Sequence, residues 1–383
     1  MRRLLSSISI TVLPLLPLPA RVCAQQFAAH HQIPFWADTD SAMDDLDLST
    51  TYDFSGIGTY AHVKYGNCFV DDDASEPFDI AILGAPFDTA VTARPGARFG
   101  PNAIRAASQR KAYGYSIYTG RDPVHDWATV VDCFDAPLTW LDNRAALRTL
   151  DQAHRAVSAR STAHPDKSTI PRIVTLGGDH TTTLSALRST HKRWGPVSVI
   201  HFDSHIGGGI SEYAGVNHGT FLHLAHEMLT RFSIHKNLIL NSSIHAGIRA
   251  PLARRKADIR NDIRCGFEII TARDLDLNGA QSVIAQIRQR VGDTRVYLSI
   301  DIDVLDPAFA PATGTPEPGG WSTRELLTLL AGLEGLDIVG GDVVEVAPAY
   351  DDNGEITAIA AVEVVHAILD LMVAKPVEAP TEQ

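Results

Sequence analysis

The sequence predicts an α/β fold, a three-layer α/β/α arrangement in which a mainly parallel sheet lies between helices. Short apolar runs rich in β-branched residues, without strict polar alternation, are typical of strands covered on both faces. Longer amphipathic stretches separate these runs, and such strand–helix alternation favours a parallel sheet. Acidic and histidine residues follow several of the runs, where parallel strands place ligand sites.

Taken in chain order, the apolar runs predict strands at 79–87, 172–179, 197–203, 238–248, 267–271, 296–306 and 337–348. The amphipathic stretches predict helices at 101–110, 143–160, 181–191, 219–230, 279–291, 322–334 and 357–373. No repeat unit or low-complexity block interrupts this alternation in the sequence. We therefore predict a single domain at 78–375.

The two ends of the chain differ from this domain. Residues 1–24 have a basic start, a short apolar stretch with three prolines and small residues placed for cleavage, which predicts a signal peptide and secretion. A membrane anchor is the alternative, but the apolar run is short and carries Pro14, Pro17 and Pro19. No later segment reaches ~18 uninterrupted apolar residues, so we expect no stable membrane association. Residues 25–77, polar and acidic, predict an N-terminal arm, and residues 376–383 a flexible tail.

Composition restricts the function further. With 45% hydrophobic and 20% charged residues, the chain is typical of a globular protein with a substantial core. A formal net charge of -12 argues against nucleic-acid binding, which needs clustered Lys and Arg, and suits a small cationic ligand.

Once Cys23 leaves with the signal peptide, Cys68, Cys133 and Cys265 permit at most one internal disulfide.

Side chains of metal-binding types cluster at the ends of the predicted strands. Asp301 and Asp303 share one face of a strand, where two carboxylates repel each other unless a cation lies between them. Asp203 and His205 have the same spacing at the end of another strand, and His180 follows a third. Oxygen ligands with a minority of imidazole favour manganese, and the groups suffice for two ions.

Some of these positions also have a structural interpretation. Asp179, in the GGDH motif, is equally suited to cap the following helix. Glu345 lies in an apolar run and needs a buried partner, with a solvated charge as the alternative. His218 is as compatible with a loop hydrogen bond as with proton transfer near neutral pH.

Several motifs in order resemble the ureohydrolase family of arginases and agmatinases: LGGDH, FDSH, SIDIDVLDPAFAPATGTPEPGG and GGDVVEVAPAYD. The stretch GAPFDTAVTARPGARFGPNAIRAAS at 84–108 is similar to the agmatinase branch in particular. The resemblance covers about residues 78 to 373. It implies an arginase-like α/β fold, two Mn²⁺ ions, hydrolysis of a guanidino compound to urea and an amine, and a homo-oligomer, either a trimer or a hexamer.

Carried over residue by residue, the resemblance implies a ligand set. His180 would bind the first metal, and His205 and Asp303 the second. Asp203 and Asp301 would bridge both. The family's chemistry is attack by a metal-activated hydroxide on the guanidinium carbon.

The resemblance also implies groups that act on the substrate. Glu345, in VVEVAP, would hold the guanidinium, whose paired donors match a carboxylate edge. Either His218, in NHGTF, or Asp203 would pass a proton to the leaving amine. Asp179 would orient the site from behind the ligands.

The chain departs from the family pattern at one position. The family has Asp-x-His-x-Asp after the strand that ends at Asp203, and here Gly207 takes the place of the last aspartate, as though a short segment had been removed. The first metal would lose one anionic ligand, which predicts one manganese bound tightly and the other weakly. Glu212 is the nearest downstream carboxylate and an alternative ligand, since glycines make the loop pliable.

The sequence therefore predicts metal-dependent hydrolysis of a guanidino compound, with agmatine as the first candidate. A protein of a different class would keep the fold and capture cationic ligands without catalysis. A third possibility is cleavage of another bond, as in deacetylases of related architecture. Glu345 and the TPEPGG loop at 315–320 argue against that third interpretation.

Overall fold

The structure, a computed structural model, describes residues 56–70, 76–111, 114–207, 215–227, 237–252 and 254–378. The signal peptide predicted at 1–24, most of the predicted arm, Glu212 and the last residues of the predicted tail lie outside these ranges. Those interpretations remain predictions.

A nine-stranded sheet, parallel throughout, forms the centre of the described chain. Its strands are β1 (Lys64–Tyr65), β2 (Ile80–Gly84), β3 (Val130–Asp135), β4 (Arg172–Leu176), β5 (Ser198–Phe202), β6 (Ser243–Ile248), β7 (Phe267–Thr271), β8 (Arg295–Asp301) and β9 (Asp337–Val344). Their order across the sheet is β1-β3-β2-β4-β9-β8-β5-β6-β7. The inner strands are buried on both faces, as their continuous apolar sequences predicted.

Helices cover both faces of this sheet. They are α1 (Gly100–Ser108), α2 (Asn143–Ser158), α3 (Thr182–Trp194), α4 (Phe221–Glu227), α5 (Arg255–Arg264), α6 (Ala272–Asn278), α7 (Ala280–Val291), α8 (Thr323–Ala331) and α9 (Ile356–Ala374). One layer is a row of contacts from α1 through α9, α8 and α7 to α6, and a second row joins α2, α3 and α4. The predicted three-layer α/β/α class is confirmed.

Every predicted strand and helix overlaps an observed one, but four elements were missed. β1 is only two residues long, and β3 has the sequence VVDCFD, in which two aspartates interrupt the apolar pattern. Asp132 and Asp135 are accommodated there because the buried guanidinium of Arg105 on α1 pairs with both. Helices α5 and α6 are short and mostly polar, so their sequences carry little helical periodicity.

The segment at 56–70 lies within the predicted arm and is joined to the domain. Tyr60 is fully buried, its backbone N–H donates to Asp132, and its hydroxyl donates to the carbonyl of Val362. Strand β1 extends the sheet beside β3. A disulfide between Cys68 and Cys133, a pairing that the sequence left open, ties the segment to β3, and Cys265 is free and buried.

Helix α9 is the one helix among the described residues that is long and apolar enough to span a membrane by length and composition. Its most apolar window has a mean hydropathy of 2.0, and 67% of that window is buried. The helix packs on α1, α8 and β9. These contacts are those of a core helix, since a helix that is hydrophobic all round also occurs in the interior of a large domain.

The sheet order brings the predicted site residues together. Strands β4, β9, β8 and β5 are consecutive in the sheet, so their carboxyl ends meet at one edge. Asp301 ends β8, Asp203 directly follows β5, and Glu345 directly follows β9. His180 lies in the turn between β4 and α3. This edge is where a parallel sheet holds its ligands.

Candidate metal centre and substrate pocket

A first cluster of ligand-type atoms surrounds His180. Its Nδ1 is 3.3 Å from Oδ2 of Asp203 and 3.1 Å from Oδ2 of Asp301, and all three side chains are buried. Its Nε2 is 2.8 Å from the hydroxyl of Ser299, which donates to Asp342. Because Ser299 uses its only proton in that bond, it accepts the Nε2 proton of His180. Burial alone would lower the pKa of His180, but the bonds of Nδ1 to Asp203 and Asp301 outweigh this and raise it. A cation bound by these carboxylates would take the place of the Nδ1 proton, as in a metal ligand oriented from behind.

A second cluster surrounds His205. Its Nδ1 is 3.3 Å from Oδ1 of Asp203 and 3.0 Å from Oδ2 of Asp303. Asp203 therefore turns one carboxylate oxygen to each cluster, Oδ2 toward His180 and Oδ1 toward His205. That arrangement suits a ligand shared by two ions. The side chain of His205 is one-third exposed, so the second cluster is the more open of the two.

Without a cation, the buried carboxylates of this site repel one another and favour protonation. Burial, with the charges of Asp303 and Asp203, raises the pKa of Asp301, and burial with Asp203 raises the pKa of Asp303. Burial alone would lower the pKa of His205, but its bonds to Asp203 and Asp303 outweigh this and raise the pKa to about 12. A divalent cation neutralises the same carboxylates and displaces the protons. The oxygen-rich donors with imidazole therefore fit a hard divalent cation such as manganese.

The loop after β5 contributes no carboxylate at the position where the family pattern has one. Gly207 has a φ of 62°, in the left-handed region, and a Cβ built there would lie 2.9 Å from the carbonyl oxygen of Gly219. The backbone is therefore shaped for glycine at this position. Within the described residues, the first cluster lacks the anionic group that the resemblance implies.

Glu345 forms a separate acidic position beside the first cluster. Its Oε1 accepts the backbone N–H of His180 at 2.8 Å and lies 3.0 Å from Nδ1 of His218. Its Oε2 has no hydrogen-bond partner among the described residues, although the side chain is buried. The residue also has a φ of 63°, which is uncommon for a residue other than glycine. A ligand with N–H donors would satisfy the unpaired oxygen.

His218 is held between Glu345 and the loop that contains Thr92. Its Nε2 accepts the backbone N–H of Thr92 at 3.0 Å and is 2.7 Å from the hydroxyl of the same residue. Nδ1 therefore carries the proton and donates it to Glu345. Burial alone would lower the pKa of His218, but Glu345 outweighs this and raises it. His218 acts as a proton donor once the ring takes up a second proton, and the raised pKa favours that form.

Asp179 contacts the backbone rather than the ligand clusters. It accepts the N–H of Ala90 at 3.1 Å and the N–H of Thr181 at 2.9 Å. Burial and the charge of Glu345 raise the pKa of Asp179 to about 7. Because Ala90 is two residues from Thr92, Asp179 fixes the loop that holds His218. Asp179 therefore contacts both the loop beside the site and the start of α3, as its two interpretations from the sequence predicted.

A cavity of about 390 Å³ opens over the two clusters. Its lining includes side chains from both clusters, from the loop after β5 and from α5: Asp203, His205, Asp301, His218, Asp258 and Asp262. Of the 24 lining residues, four are aspartates, and two of these, Asp203 and Asp301, belong to the clusters. Glu345 is not among the residues that line this cavity, but His218, which bonds Glu345, is.

Sequence reasoning missed three residues that the structure brings into the site. His201 lies against Asp203, whereas Ser299 and Asp342 hold His180 from behind. A signal for His201 was present, because His201, Asp203 and His205 alternate along HFDSH and strand geometry places alternate residues on one face. No comparable signal marked Asp342, which looked like one charge in an apolar run.

The fold and the paired clusters together define a class, the metal-dependent hydrolases with an α/β/α sheet. Comparison with known proteins is more specific, since the model of the Arginase family matches residues 78–370. "Putative agmatinase 1" of Schizosaccharomyces pombe is 48% identical over 381 residues, covering 92% of this chain and 94% of that protein. Agmatinase of Escherichia coli (strain SE11) is 38% identical over 311 residues, covering 80% and 90%.

Solved structures agree with these sequence matches. Proclavaminate amidino hydrolase from Streptomyces clavuligerus has a TM-score of 0.72 and 32% identity, and the match covers 85% of this chain and 99% of that one. A hypothetical agmatinase from Burkholderia thailandensis has a TM-score of 0.69 and 35% identity, covering 84% and 91%. The chain belongs to the arginase family. It is an agmatinase-like ureohydrolase, which confirms the resemblance, and its relatives support hydrolysis of a guanidino compound. The family depends on a binuclear manganese centre.

Proposed function

We propose that this ureohydrolase acts on agmatine, or on a similar ω-guanidino compound, and releases urea and an amine. The main support is the arrangement of two clusters around Asp203, with the unpaired oxygen of Glu345 and the proton-bearing His218 beside them. The acidic lining of the cavity suits a substrate with a second cationic group. Two relatives named as agmatinases support the same substrate.

The roles of the residues follow from their contacts. Glu345 binds the guanidinium through its free Oε2, and its backbone bond from His180 keeps the carboxylate in place. As an imidazolium, the form that its raised pKa favours, His218 delivers a proton to the leaving amine. Asp203 is the alternative group for this transfer. Asp179 keeps the loop around Thr92, and therefore His218, in position.

The two clusters would hold two manganese ions. His180, Asp203 and Asp301 would hold the first, while His205, Asp203, Asp301 and Asp303 would hold the second. When bound, the metals supply a hydroxide at neutral pH. Because Gly207 offers no carboxylate, we propose that the first ion binds more weakly than the second. Metal analysis that finds two ions of equal affinity would contradict this.

The location and the assembly are further proposals. We propose that residues 1–24 direct secretion, and the disulfide between Cys68 and Cys133 is consistent with an oxidising compartment. We also propose a homo-oligomer, a trimer or a hexamer. Exposed apolar side chains at Tyr115, Ile117 and Tyr118 offer a surface for such contacts.

Urea release tests the proposed reaction. The mature chain is incubated with excess manganese and then given agmatine, arginine or 4-guanidinobutyrate in separate assays. We expect urea from agmatine in the largest amount. Greater release from either of the other two compounds would reassign the substrate.

The same assay separates catalysis from ligand capture, a second candidate function that Gly207 favours. A noncatalytic protein would bind agmatine in calorimetry and release no urea even at millimolar manganese. If a folded, metal-loaded protein neither binds agmatine nor releases urea, both candidate functions are wrong.

A further inference from the structure

A second buried imidazole lies beside the first cluster, next to the oxygen that faces His180. Nε2 of His201 is 3.0 Å from Oδ2 of Asp203, and the same oxygen is 3.3 Å from Nδ1 of His180. One ligand atom from each of these three residues lies within 4.8 Å of the others. Two ligands about 2.1 Å from one ion and at right angles lie about 3.0 Å apart, so the spacing fits a shared ion.

The Nε2 atom of His201 has no hydrogen-bond partner among the described residues, although it is fully buried. Its contact with Asp203 is short enough for a hydrogen bond, but the oxygen lies too far from the N–H direction to count as one. Burying a ring nitrogen without a hydrogen-bond partner costs folding free energy. A cation on the Nε2 lone pair, bound also by Asp203, would satisfy both atoms.

The other side of His201 bonds a second histidine. Its Nδ1 is 2.7 Å from Nδ1 of His245, so one of the two rings donates to the other. When His245 is the acceptor, the proton of neutral His201 lies on Nδ1. His201 then presents Nε2 without a proton. Partners of this kind orient the histidine ligands of metals.

We propose that His201 is a ligand of the first metal in this chain and occupies the coordination position that Gly207 leaves without a side chain. The proposal rests on the metal-dependent function proposed above. The first ion would be held by His180 and His201 together with the shared carboxylates Asp203 and Asp301. Because imidazole is neutral, the first site stays weaker than a site with a third carboxylate but still binds its ion.

Manganese content tests the proposal without using activity. The full mature chain and the variants His201→Leu and His201→Asn are dialysed to equilibrium against rising manganese concentrations, and the metal bound per chain at saturation is measured. The control is His154→Leu, which replaces another fully buried histidine, on α2, whose Nε2 is also unpartnered. Electron paramagnetic resonance distinguishes a spin-coupled manganese pair from a single ion.

We expect two manganese ions and a coupled spectrum for the wild-type chain and for His154→Leu. Both His201 variants should retain one ion with an uncoupled spectrum, and their circular dichroism should match the wild type in the absence of metal. Two tightly held ions in a folded His201 variant would overturn the proposal. A wild-type chain with one ion would also overturn it, whereas a wild-type chain with none would contradict the proposed function itself. If His201→Leu fails to fold, the manganese content of His201→Asn decides whether His201 is a ligand.

Discussion

At the scale of single residues, the site depends on how carboxylate oxygens are divided among partners. Asp203 gives one oxygen to each cluster, and Glu345 uses Oε1 for protein donors while Oε2 stays free. The carboxylate of Asp203 is therefore shared between two metal clusters, whereas that of Glu345 has one oxygen left for a ligand. Asp203 is surrounded by imidazoles that lower its pKa despite burial, so it remains an anion ready for a cation.

Glu345→Gln tests the guanidinium site. We expect kcat/KM for the guanidino substrate to fall by about 100-fold, because the amide of glutamine lacks the negative charge that strengthens the bond from the guanidinium to Oε2. Manganese content should not change, since Glu345 contacts neither cluster as a metal ligand. Glu363→Gln, which removes a partly exposed carboxylate paired with Lys111, is the matched control and should leave the kinetics unchanged. A variant with normal kcat/KM would remove Glu345 from the substrate site.

Gly207→Asp tests whether one substitution restores the family ligand. We expect it to lower the free energy of unfolding by about 1–3 kcal/mol and to leave first-site metal affinity unimproved, because the new Cβ would press on the Gly219 carbonyl. Gly292→Asp is the control, since Gly292 also has a positive φ but has no atom within 4 Å of its built Cβ. Chemical unfolding and manganese titration measure both effects. Tighter metal binding by a stable Gly207→Asp variant would contradict this account.

At the scale of elements, the carboxyl ends of β4, β9, β8 and β5 form the site. Strands β1 and β3, at one side of the sheet, are stabilised by a disulfide. The segment at 56–70 reaches the domain through β1 and through the Cys68–Cys133 disulfide. The buried pair of Arg105 with Asp132 joins α1 to β3 in the same region. A disulfide and a buried ion pair thus stabilise the part of the sheet that has the least regular strand sequences.

Removal of the disulfide should destabilise this region. The two cysteines are 65 residues apart, and closing a loop of that length corresponds to about 4 kcal/mol in the chain-entropy model. We expect the double variant Cys68→Ser/Cys133→Ser to lose a stability of that order in urea unfolding. Cys265→Ser, at the free buried cysteine, is the control and should lose clearly less. Equal losses in the two variants would mean that the disulfide contributes no specific stability.

At the scale of the whole molecule, acidity and burial couple the stability of the fold to pH. Burial lowers the pKa of His154 to about 4 in the folded chain, against 6.5 for an ordinary histidine. Between these values the unfolded chain binds a proton that the folded chain does not, so stability falls as pH falls. The stabilisation by neutral His154 is complete above about pH 6.5 and is lost toward pH 4.

His154→Leu should therefore weaken the acid sensitivity of the whole fold. For the wild-type chain, this one group should remove about 3 kcal/mol of unfolding free energy between pH 7 and pH 4. The variant should lack that part of the slope, and unfolding in urea at a series of pH values measures the difference. If the two chains show parallel pH profiles, His154 is not the group responsible.

The sequence by itself determined the class of fold, most of the elements and the predicted ligands, because β-branched runs, helical periodicity and two-residue spacings are local patterns. It also determined that Gly207 offers no carboxylate. Only the tertiary structure decided which oxygen of Asp203 faces which histidine, that Asp342 and Ser299 orient His180, and that His201 lies within the same cluster. The physical reason is that these contacts join strands far apart in the chain, and their distances depend on sheet order, which a local pattern does not contain.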